Sequence, residues 1–246
     1  MAAELGREAS WSDIAGWYDE LVQAGSGPHE LALSTTLRLV PDLRDAQVLD
    51  LACGQGLATR ALARAGASAV TGVDATPEMI ANARAIEDAE PLGLRYLLDD
   101  AQSLRTLAAE AFDVVTCQLG LMDIPDLAAT VVSVARVLRP GGSFVFVIGH
   151  PCFLAPDATT VRAVDGSMAR MVTKYLEERF WRSDNPQGVR RVGNHHRTLT
   201  TYLNTLTACG FTLDIVDEPP ARGRLAAEQP VYSTLPIFFA ARAIRA

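Results

Sequence analysis

Carboxylates stand at the ends of three apolar segments in the N-terminal half of the chain, and glycines follow the first of them. These carboxylates are Asp50, Asp74 and Asp100, and the turn after Asp50 contains Gly54 and Gly56. An apolar run, a glycine turn and a helix-forming run predict a strand, a tight turn and a helix. Glycine allows positive φ and lets a ligand approach without meeting a Cβ atom. Parallel strands of such folds bind ligands at their carboxyl ends, so the pattern predicts an acidic, ligand-binding sheet edge.

The charge of this edge indicates which ligand it suits. A Gly-x-Gly turn after a strand is shared with dinucleotide-binding proteins, which place a pyrophosphate at the helix N-terminus. Asp50 lies just before the turn and would repel a pyrophosphate, which disfavours a nicotinamide-dependent oxidoreductase. A positively charged ligand such as S-adenosylmethionine, with its amino group and sulfonium, suits the edge better. Asp74 follows Gly56 by about 18 residues, close to the spacing at which a carboxylate binds ribose hydroxyls.

At this point the chain resembles the class I S-adenosylmethionine-dependent methyltransferases over most of its length. The segment 50–56 is similar to their glycine-rich first motif, with Ala52 where the first glycine often stands, and the segment 138–142 is similar to the turn before their fifth strand. The resemblance implies that Asp74 binds the ribose, that Asp100 and the Ala101 backbone contact adenine, and that Cys117 and Gln118 line the methionine side. The cofactor site so implied comprises Asp50, Ala52, Gly54, Gly56, Asp74, Ala75, Met79, Asp100, Ala101, Cys117 and Gln118.

Strand and helix patterns alternate from Ala46 to Ile148. This alternation predicts an α/β fold with a mostly parallel sheet and helices on both faces. The resemblance implies a Rossmann-like, seven-stranded sheet whose last strand, within 237–243, inserts antiparallel between the fifth and sixth. The direction of that strand does not follow from the residues themselves. We expect one domain over 1–246, made of an N-terminal helical lid (1–45), a cofactor-binding core (46–149), a substrate-cap insertion after strand 5 (150–198) and a C-terminal part of the core (199–246).

The residues before the first strand carry aromatic and aliphatic side chains at helical spacing, including Trp11, Trp17 and Tyr18. They predict a helix from Ala9, a break at 25–28 and a second helix to about Val40. The helix either fills the core with its aromatic side chains or forms a lid over the cofactor in which Trp17 and Tyr18 face the substrate. The resemblance favours the lid for Tyr18, because related methyltransferases carry a Tyr-Asp pair in this region.

The alternation stops between Leu154 and Arg197. Here the spacing predicts a helix over 167–181 and then a polar loop through Gly193. A long insertion after a strand of the binding edge is more often functional than not. We interpret the insertion as a substrate cap, although a helical aromatic stripe is also typical of internal packing.

Several side chains are candidates for acid–base chemistry. His150 ends the fifth strand, where a group with a reference pKa near neutrality could act as a general base or only hydrogen-bond a carbonyl. The pair His195 and His196 invites a metal site, but neighbouring side chains of an extended chain point to opposite faces and no third ligand stands at regular spacing. We therefore predict no metal, and one of these histidines in the substrate pocket. The catalytic candidates are His150, Tyr18, Asp123, His195 and His196.

Composition narrows the class of protein. The chain has 246 residues and a formal net charge of -7, so no overall field attracts nucleic acid. The four cysteines are far apart in the sequence and form neither a zinc pattern nor a disulfide framework. The segment 1–10 is charged and has no apolar core, and no apolar run reaches the roughly 20 residues of a membrane span. We expect a cytoplasmic monomer or homodimer without nucleic-acid or membrane partners.

The function predicted on these grounds is transfer of a methyl group from S-adenosylmethionine to an oxygen, nitrogen or carbon of a small organic molecule, in specialised metabolism, with S-adenosylhomocysteine as the product. The alternative is a protein that binds S-adenosylmethionine for another reaction or for binding only, because cofactor motifs indicate binding and not chemistry.

Overall fold

The N-terminal helices are both present in the structure, a computed structural model that describes residues 9–246. They are α1 (Trp11–Gln23) and α2 (Gly27–Leu39). The Ser10 hydroxyl accepts a hydrogen bond from the Asp13 backbone N–H, and the Asp13 carboxylate accepts one from the Ser10 N–H, which forms a capping box. The predicted break between the helices is confirmed, because α1 ends at Gln23 and α2 begins at Gly27. Part of the prediction for the segment 1–10 falls on residues 1–8, which lie outside the described part of the chain.

The central part of the chain alternates as predicted. Its elements are β1 (Gln47–Leu51), α3 (Leu57–Arg64), β2 (Ala69–Asp74), α4 (Pro77–Ala89), β3 (Arg95–Leu98), β4 (Phe112–Gln118), α5 (Leu127–Val137) and β5 (Leu138–Gly149). After them come β6 (Thr159–Arg162), β7 (Met168–Met171), β8 (Arg179–Trp181), β9 (Asn194–His196), α6 (Leu199–Ala208), β10 (Phe211–Asp217), α7 (Gly223–Glu228) and β11 (Phe238–Arg245). Short 3-10 helices cover Val189–Val192 and Pro230–Ser233.

Seven strands form one sheet in the order β10-β11-β5-β4-β1-β2-β3. Strands β1 to β5 pair in parallel, while β11 pairs antiparallel with both β5 and β10. The seven-stranded, mostly parallel sheet is therefore confirmed, together with the inserted antiparallel strand that the resemblance implied. The carboxyl ends of β1, β2, β3 and β4 consequently lie along one edge.

The turn predicted before the fifth strand lies within β5 instead. Phe112 of β4 is opposite Leu138, but Val114 is already opposite Ser143. The residues between Leu138 and Ser143 thus bulge out of register, with Gly141 at φ 77°. The expectation that residues 138–142 precede the fifth strand was wrong, because a bulge lets the chain turn without leaving the sheet.

Both faces of the sheet are covered by helices. Phe144, Phe146 and Ile148 of β5 pack in one core cluster with residues of α5 and α6, including Val134 and Leu206. Their neighbours Val145 and Val147 lie in a second cluster with residues of α2 and α7. Alternate residues of one strand point to opposite faces, so β5 is apolar on both sides, as a strand within a parallel sheet must be.

The helix predicted over 167–181 is absent, and that prediction was wrong. Strands β6 and β7 form an antiparallel hairpin, and β8 pairs antiparallel with β9. Asp165 and Gly166 stand in the turn of the first hairpin, with Gly166 at φ 84°. An Asp-Gly pair is a strong hairpin signal, and here it outweighed the helical spacing of the apolar residues. Among residues 9–246, no helix has the length and apolar character needed to cross a membrane.

Candidate active site

A cavity of about 230 Å³ opens at the carboxyl edge of the sheet. It is bordered by the turn after β1, the end of β2, the loops after β3 and β4, and helix α1. The predicted site residues that line it are Ala52, Gly54, Asp74, Ala75, Met79, Asp100, Ala101 and Gln118, together with the catalytic candidates Tyr18 and Asp123. Most of the implied cofactor residues therefore meet in one place, which we call the edge cavity.

The turn after β1 is built from residues in the left-handed region. Ala52, Gly54 and Gly56 have φ values of 53°, 55° and 89°. The Asp74 carboxylate joins this turn to the next one, because it accepts hydrogen bonds from the backbone N–H groups of Gly54 and Thr76, both at 2.9 Å. Each carboxylate oxygen retains a further lone pair. Asp74 can therefore hold the turn and still bind ribose hydroxyls in the cavity.

Three implied cofactor residues lie behind the edge cavity and not in its wall. Asp50 is buried and accepts hydrogen bonds from the hydroxyls of Thr59 (2.7 Å) and Thr116 (2.9 Å). Burial raises the pKa of Asp50 to about 6, and the two hydroxyls act in the opposite direction. Cys117 is fully buried beneath the loop that follows β4.

The third is Gly56, the N-cap residue of α3. A Cβ atom at Gly56 would lie 2.3 Å from the Tyr96 hydroxyl oxygen. The glycine is therefore required both by its positive φ and by the approach of Tyr96. Asp50, Gly56 and Cys117 support the turn and the loop that shape the cavity.

One end of the edge cavity carries a chain of polar side chains. The Tyr18 hydroxyl lies 2.8 Å from His29 Nε2, and His29 Nδ1 lies 2.8 Å from the Ser26 hydroxyl. Burial raises the pKa of Tyr18, with a further contribution from Asp123. Burial and the charge of Arg190 lower the pKa of His29 to about 4. His29 is thus neutral at physiological pH and able to accept the Tyr18 proton in a hydrogen bond.

Asp123 lies at the same end and pairs with Arg190, at 2.7 Å between Oδ1 and Nη1. Burial raises the pKa of Asp123 to about 6, while Arg190 opposes the rise. Arg190 belongs to the 3-10 helix of the insertion. Its neighbour Arg191 lies over the ring of Trp17 in α1, at 3.9 Å from the ring centroid. The insertion therefore contacts both α1 and the loop after β4.

His150 is placed away from the wall of the edge cavity. It is 2% exposed, its Nε2 lies 2.7 Å from Glu218 Oε1, and its Nδ1 accepts a hydrogen bond from the Cys152 N–H at 3.2 Å. Desolvation lowers the pKa of His150, and Glu218 opposes this. An Nδ1 that accepts leaves the proton on Nε2, which donates to Glu218. Both ring nitrogens are thereby engaged.

His195 and His196 lie at a second cavity of about 260 Å³, between the end of β5 and the insertion. We call it the insertion cavity. His196 Nε2 lies 2.8 Å from the Tyr175 carbonyl oxygen. The backbone N–H of His195 donates to the Met122 carbonyl at 2.7 Å, and its ring packs on Phe180. Met122 precedes Asp123, so one loop separates the two cavities.

Arg197 fixes that loop. It is buried and donates to the backbone carbonyls of Leu121 (3.1 Å), Ile124 (2.7 Å) and Pro125 (2.6 Å). Local sequence patterns do not identify Arg197, His29 or Arg190 as residues of the site. The carbonyls that Arg197 binds lie 72 to 76 residues away in the sequence. Tyr18 lies 11 residues from His29, and Asp123 lies 67 residues from Arg190. The lining residues Trp11 and Gln102 were also missed.

The residues present fit S-adenosylmethionine. Left-handed backbone at Ala52 and Gly54 opens the turn to a ligand, and Asp74 offers acceptors for a ribose at the same edge. Within the described residues no group of three or more His, Cys, Asp or Glu side chains has the arrangement of a metal site.

Comparison with known proteins agrees with this geometry. A family model described as a methyltransferase domain matches residues 49–146. The S-adenosylmethionine-dependent methyltransferase of Mesorhizobium loti has a TM-score of 0.76 and 29% identity, covering 90% of this chain and 99% of its own. A structure from Listeria monocytogenes assigned to the same class has a TM-score of 0.74 and 27% identity, covering 89% and 99%. Residues 49–146 therefore match a methyltransferase domain, and the whole fold is similar to that of S-adenosylmethionine-dependent methyltransferases, which implies S-adenosylmethionine as the cofactor.

Curated relatives share a smaller part of the chain. The ubiquinone biosynthesis O-methyltransferase of Xanthomonas oryzae pv. oryzae is 42% identical over 106 residues, which are 41% of this chain and 42% of that protein. The protein of the same name from Serratia proteamaculans is 32% identical over 138 residues, 55% and 54% of the two chains. The chain thus spans about half the length of these relatives or less. The [4+2]-cyclase SpnF shares the fold, with a TM-score of 0.64, 17% identity and coverage of 96% and 97%.

Proposed function

We propose that this protein transfers the methyl group of S-adenosylmethionine to an oxygen, nitrogen or carbon of a small organic molecule. The observation that carries the proposal is the position of the polar end of the edge cavity. Tyr18 and Asp123 lie there, at the boundary with the insertion cavity, across the Asp123–Arg190 ion pair. A cofactor in the edge cavity and an acceptor in the insertion cavity would then meet at this boundary.

The bound cofactor supplies an electrophilic methyl group on a sulfonium, and the protein orients the acceptor for in-line attack. Orientation and proximity together can contribute several kcal/mol to such a step. Asp74 binds the ribose, while Asp100 and Ala101 contact the adenine. Helix α1 contributes Trp11 and Tyr18 to the wall of the cavity.

A hydroxyl or amine acceptor must give up a proton when it is methylated, so the site needs a group that can take this proton. Tyr18 donates its own proton toward His29, so its oxygen can accept a hydrogen bond from the acceptor. Asp123 has a pKa near 6, which suits a general base at neutral pH. We propose Asp123 as the base and Tyr18 as the group that orients the acceptor.

The histidines receive other roles in the proposal. His150, with both ring nitrogens engaged, positions the segment that leads from β5 into the insertion. His195 and His196 border the acceptor. The division into lid (1–45), core (46–149 and 199–246) and cap (150–198) is part of the same proposal. It is supported by the contact of Arg191 with Trp17. The cytoplasmic location, the monomer or homodimer and the absence of nucleic-acid or membrane partners stay predictions.

The second candidate is a protein that binds S-adenosylmethionine for a different reaction. The fold likeness to a [4+2]-cyclase supports it as an alternative, because the same sheet carries a reaction of another type there. Detection of a methylated product separates the two candidates.

The experiment is isothermal titration with S-adenosylmethionine and S-adenosylhomocysteine of the wild type, Asp74→Ala and Asp214→Ala. Asp214 pairs with Arg242 on the edge strand β10 and serves as the control carboxylate. Micromolar binding that Asp74→Ala loses and Asp214→Ala keeps would support the cofactor site. Mass spectrometry of reactions with phenols, amines and activated carbon acids then tests transfer. No binding to the wild type would overturn the proposal.

A further inference from the structure

The insertion cavity is unusually cationic for this chain. Three arginines line it, Arg170, Arg190 and Arg197, although the whole chain has a formal net charge of -7. The carboxylate of Asp157 also lines it, but Asp157 already pairs with Arg179 at 2.9 Å and Lys174 at 3.6 Å. The charge at this cavity therefore has the opposite sign to that of the chain.

Two of the arginines bind neutral groups. Arg170 donates to the carbonyls of Phe153 and Ala158 and to the Thr160 hydroxyl. Arg197 donates to three loop carbonyls. Carbonyls satisfy the donors but carry no net charge, and among the described residues neither guanidinium donates a hydrogen bond to a carboxylate.

Arg190 is the arginine with donors to spare. A guanidinium has five N–H donors, and the side chain of Arg190 makes one hydrogen bond among the described residues, from Nη1 to Asp123. Beside it, the side-chain oxygen of Asn194 is buried and has no hydrogen-bond partner. Unpaired buried polar atoms are rare in proteins. The His195 ring also lines the cavity and has no hydrogen-bond partner within residues 9–246.

From these observations we infer that the insertion cavity binds the methyl acceptor through an acidic group of that acceptor, a carboxylate or a phosphate monoester, held by Arg190. The inference rests on the proposed function and names its substrate class. The amide of Asn194 donates to the same group through its nitrogen, since oxygen and nitrogen of an amide can exchange places by a flip. Leu154, Trp181 and Tyr202 form the apolar remainder of the wall, which suits a small aromatic or aliphatic body.

Asp123 competes with the acceptor for Arg190. It lies at the boundary of the two cavities and holds one Nη of the guanidinium. An anion that arrives beside it shares the fork of donors, and the acceptor is then fixed next to the methyl end of the edge cavity. Removal of Asp123 should therefore strengthen anion binding, whereas removal of Arg190 should weaken it. A merely structural role for the pair would weaken binding in both variants.

The test uses fluorine NMR titration of the protein saturated with S-adenosylhomocysteine. The probes are 4-fluorobenzoate, 4-fluorophenyl phosphate and the neutral 4-fluorobenzamide. The variants are Arg190→Gln, Asp123→Asn and Arg162→Gln. Arg162 lies on β6 of the same insertion, is exposed and donates to the Gly166 carbonyl, so its removal subtracts the same charge away from the cavity.

We expect the wild type to bind at least one anion roughly tenfold more tightly than the amide. Arg190→Gln should weaken that anion roughly tenfold to hundredfold and leave the amide unchanged. Asp123→Asn should tighten it, and Arg162→Gln should change it less than about twofold. The two anionic probes separate a carboxylate from a phosphate acceptor.

Equal binding of anions and amide, or an equal loss in Arg162→Gln, would overturn the inference. So would the absence of binding of both anions at millimolar concentration while S-adenosylhomocysteine still binds, and the proposed function would survive that result. If S-adenosylhomocysteine itself does not bind, the proposed function fails first.

Discussion

The cofactor edge and the insertion are two regions of one site that are stabilised in different ways. At the edge, Asp50 and Asp74 are held by hydrogen bonds to residues of the turns and strands next to them. In the insertion, arginine side chains donate hydrogen bonds to carbonyls and carboxylates that are distant in the sequence. The cofactor edge is therefore held by neighbouring strands, turns and helix α3, whereas the proposed acceptor side depends on contacts between the insertion and the loop after β4.

The comparisons divide the molecule in the same way. The family model ends at residue 146, before the insertion begins. The family model therefore informs the cofactor side only. The acceptor side has to be derived from the residues of this chain.

The largest effect is expected at the residue that joins the two regions. Arg197→Met removes a buried cation that binds three loop carbonyls, and leaves those carbonyls without a partner. Unpaired buried groups of this kind cost about 3–5 kcal/mol in total. Urea unfolding should show this loss of free energy of unfolding, and titration should show weaker cofactor and probe binding together.

Arg105→Met is the matched control, because Arg105 is exposed. A surface substitution of this type changes stability by less than about 0.5 kcal/mol. If both variants lose the same free energy, Arg197 does not hold the loop between the cavities.

A second prediction concerns the cofactor edge alone. Gly56→Ala places a Cβ atom 2.3 Å from the Tyr96 hydroxyl at φ 89°, whereas Gly66→Ala has φ 105° and no heavy atom within 4 Å. Backbone strain alone should lower the free energy of unfolding of Gly66→Ala by about 1–2 kcal/mol. The clash with Tyr96 should lower that of Gly56→Ala by about 1–3 kcal/mol more. Thermal or urea unfolding measures the difference.

Tyr96→Phe sharpens this comparison, because it removes the atom nearest to the new Cβ. In that background the extra cost of Gly56→Ala should shrink by about half or more, as a double-mutant cycle measures. Additive free energies would show that contact with the Tyr96 hydroxyl is not the cause of the extra cost.

The two regions also differ in how far the sequence predicts them. Asp50, Asp74 and Asp100 lie within two residues of the carboxyl ends of β1, β2 and β3, and a parallel sheet brings such ends together whatever the loops do. Ala75 and Ala101 lie in the loops that follow, Met79 lies in the first turn of α4, and all three line the edge cavity. Local pattern and topology predict the acidic edge, and the family resemblance supplied the remaining residues of the cofactor site.

In the insertion, the local sequence pattern predicted the wrong secondary structure. Met168, Met171 and Tyr175 stand at helical spacing, yet the Asp165-Gly166 turn folds the segment into a hairpin. The partnership of Arg190 with Asp123 spans 67 residues, and no local pattern indicates which arginine fills such a position. The predicted role of His150 rested on its place at the end of β5, and its contact with Glu218, 68 residues away, was equally invisible.

A third prediction tests the polar chain where the two regions meet. Tyr18→Phe removes the hydroxyl that His29 holds. We expect kcat to fall about tenfold to hundredfold, because the acceptor loses its orienting partner. The dissociation constant of S-adenosylhomocysteine should stay within about threefold, since a single lost hydrogen bond contributes modestly.

His29→Gln keeps an amide oxygen that can accept from Tyr18, and should retain more activity than His29→Ala. Tyr232→Phe, at a buried tyrosine outside the edge cavity, is the control. If Tyr18→Phe loses S-adenosylhomocysteine affinity by the same factor as kcat, then Tyr18 acts on the cofactor and not on the acceptor.

The smallest effect is expected from protonation of Asp123, whose pKa lies near 6. Above that pH the carboxylate is charged and attracts a sulfonium, which S-adenosylmethionine has and S-adenosylhomocysteine lacks. The preference for S-adenosylmethionine, measured by titration from pH 5 to 8, should therefore rise a few-fold, about 1 kcal/mol or less, as pH passes through about 6. Asp123→Asn should show a flat ratio.

Asp50 has a pKa in the same range but lies beneath the turn, so Asp50→Asn should keep the rise if Asp123 causes it. Stability supplies an independent readout. The folded-state pKa of Asp123 exceeds its reference value of 3.8, so the folded protein holds a proton that the unfolded chain releases. The free energy of unfolding should then fall as pH rises from about 4 to 6, and fall less in Asp123→Asn. A preference that rises with pH in Asp123→Asn but is flat in Asp50→Asn would assign the titration to the cofactor turn.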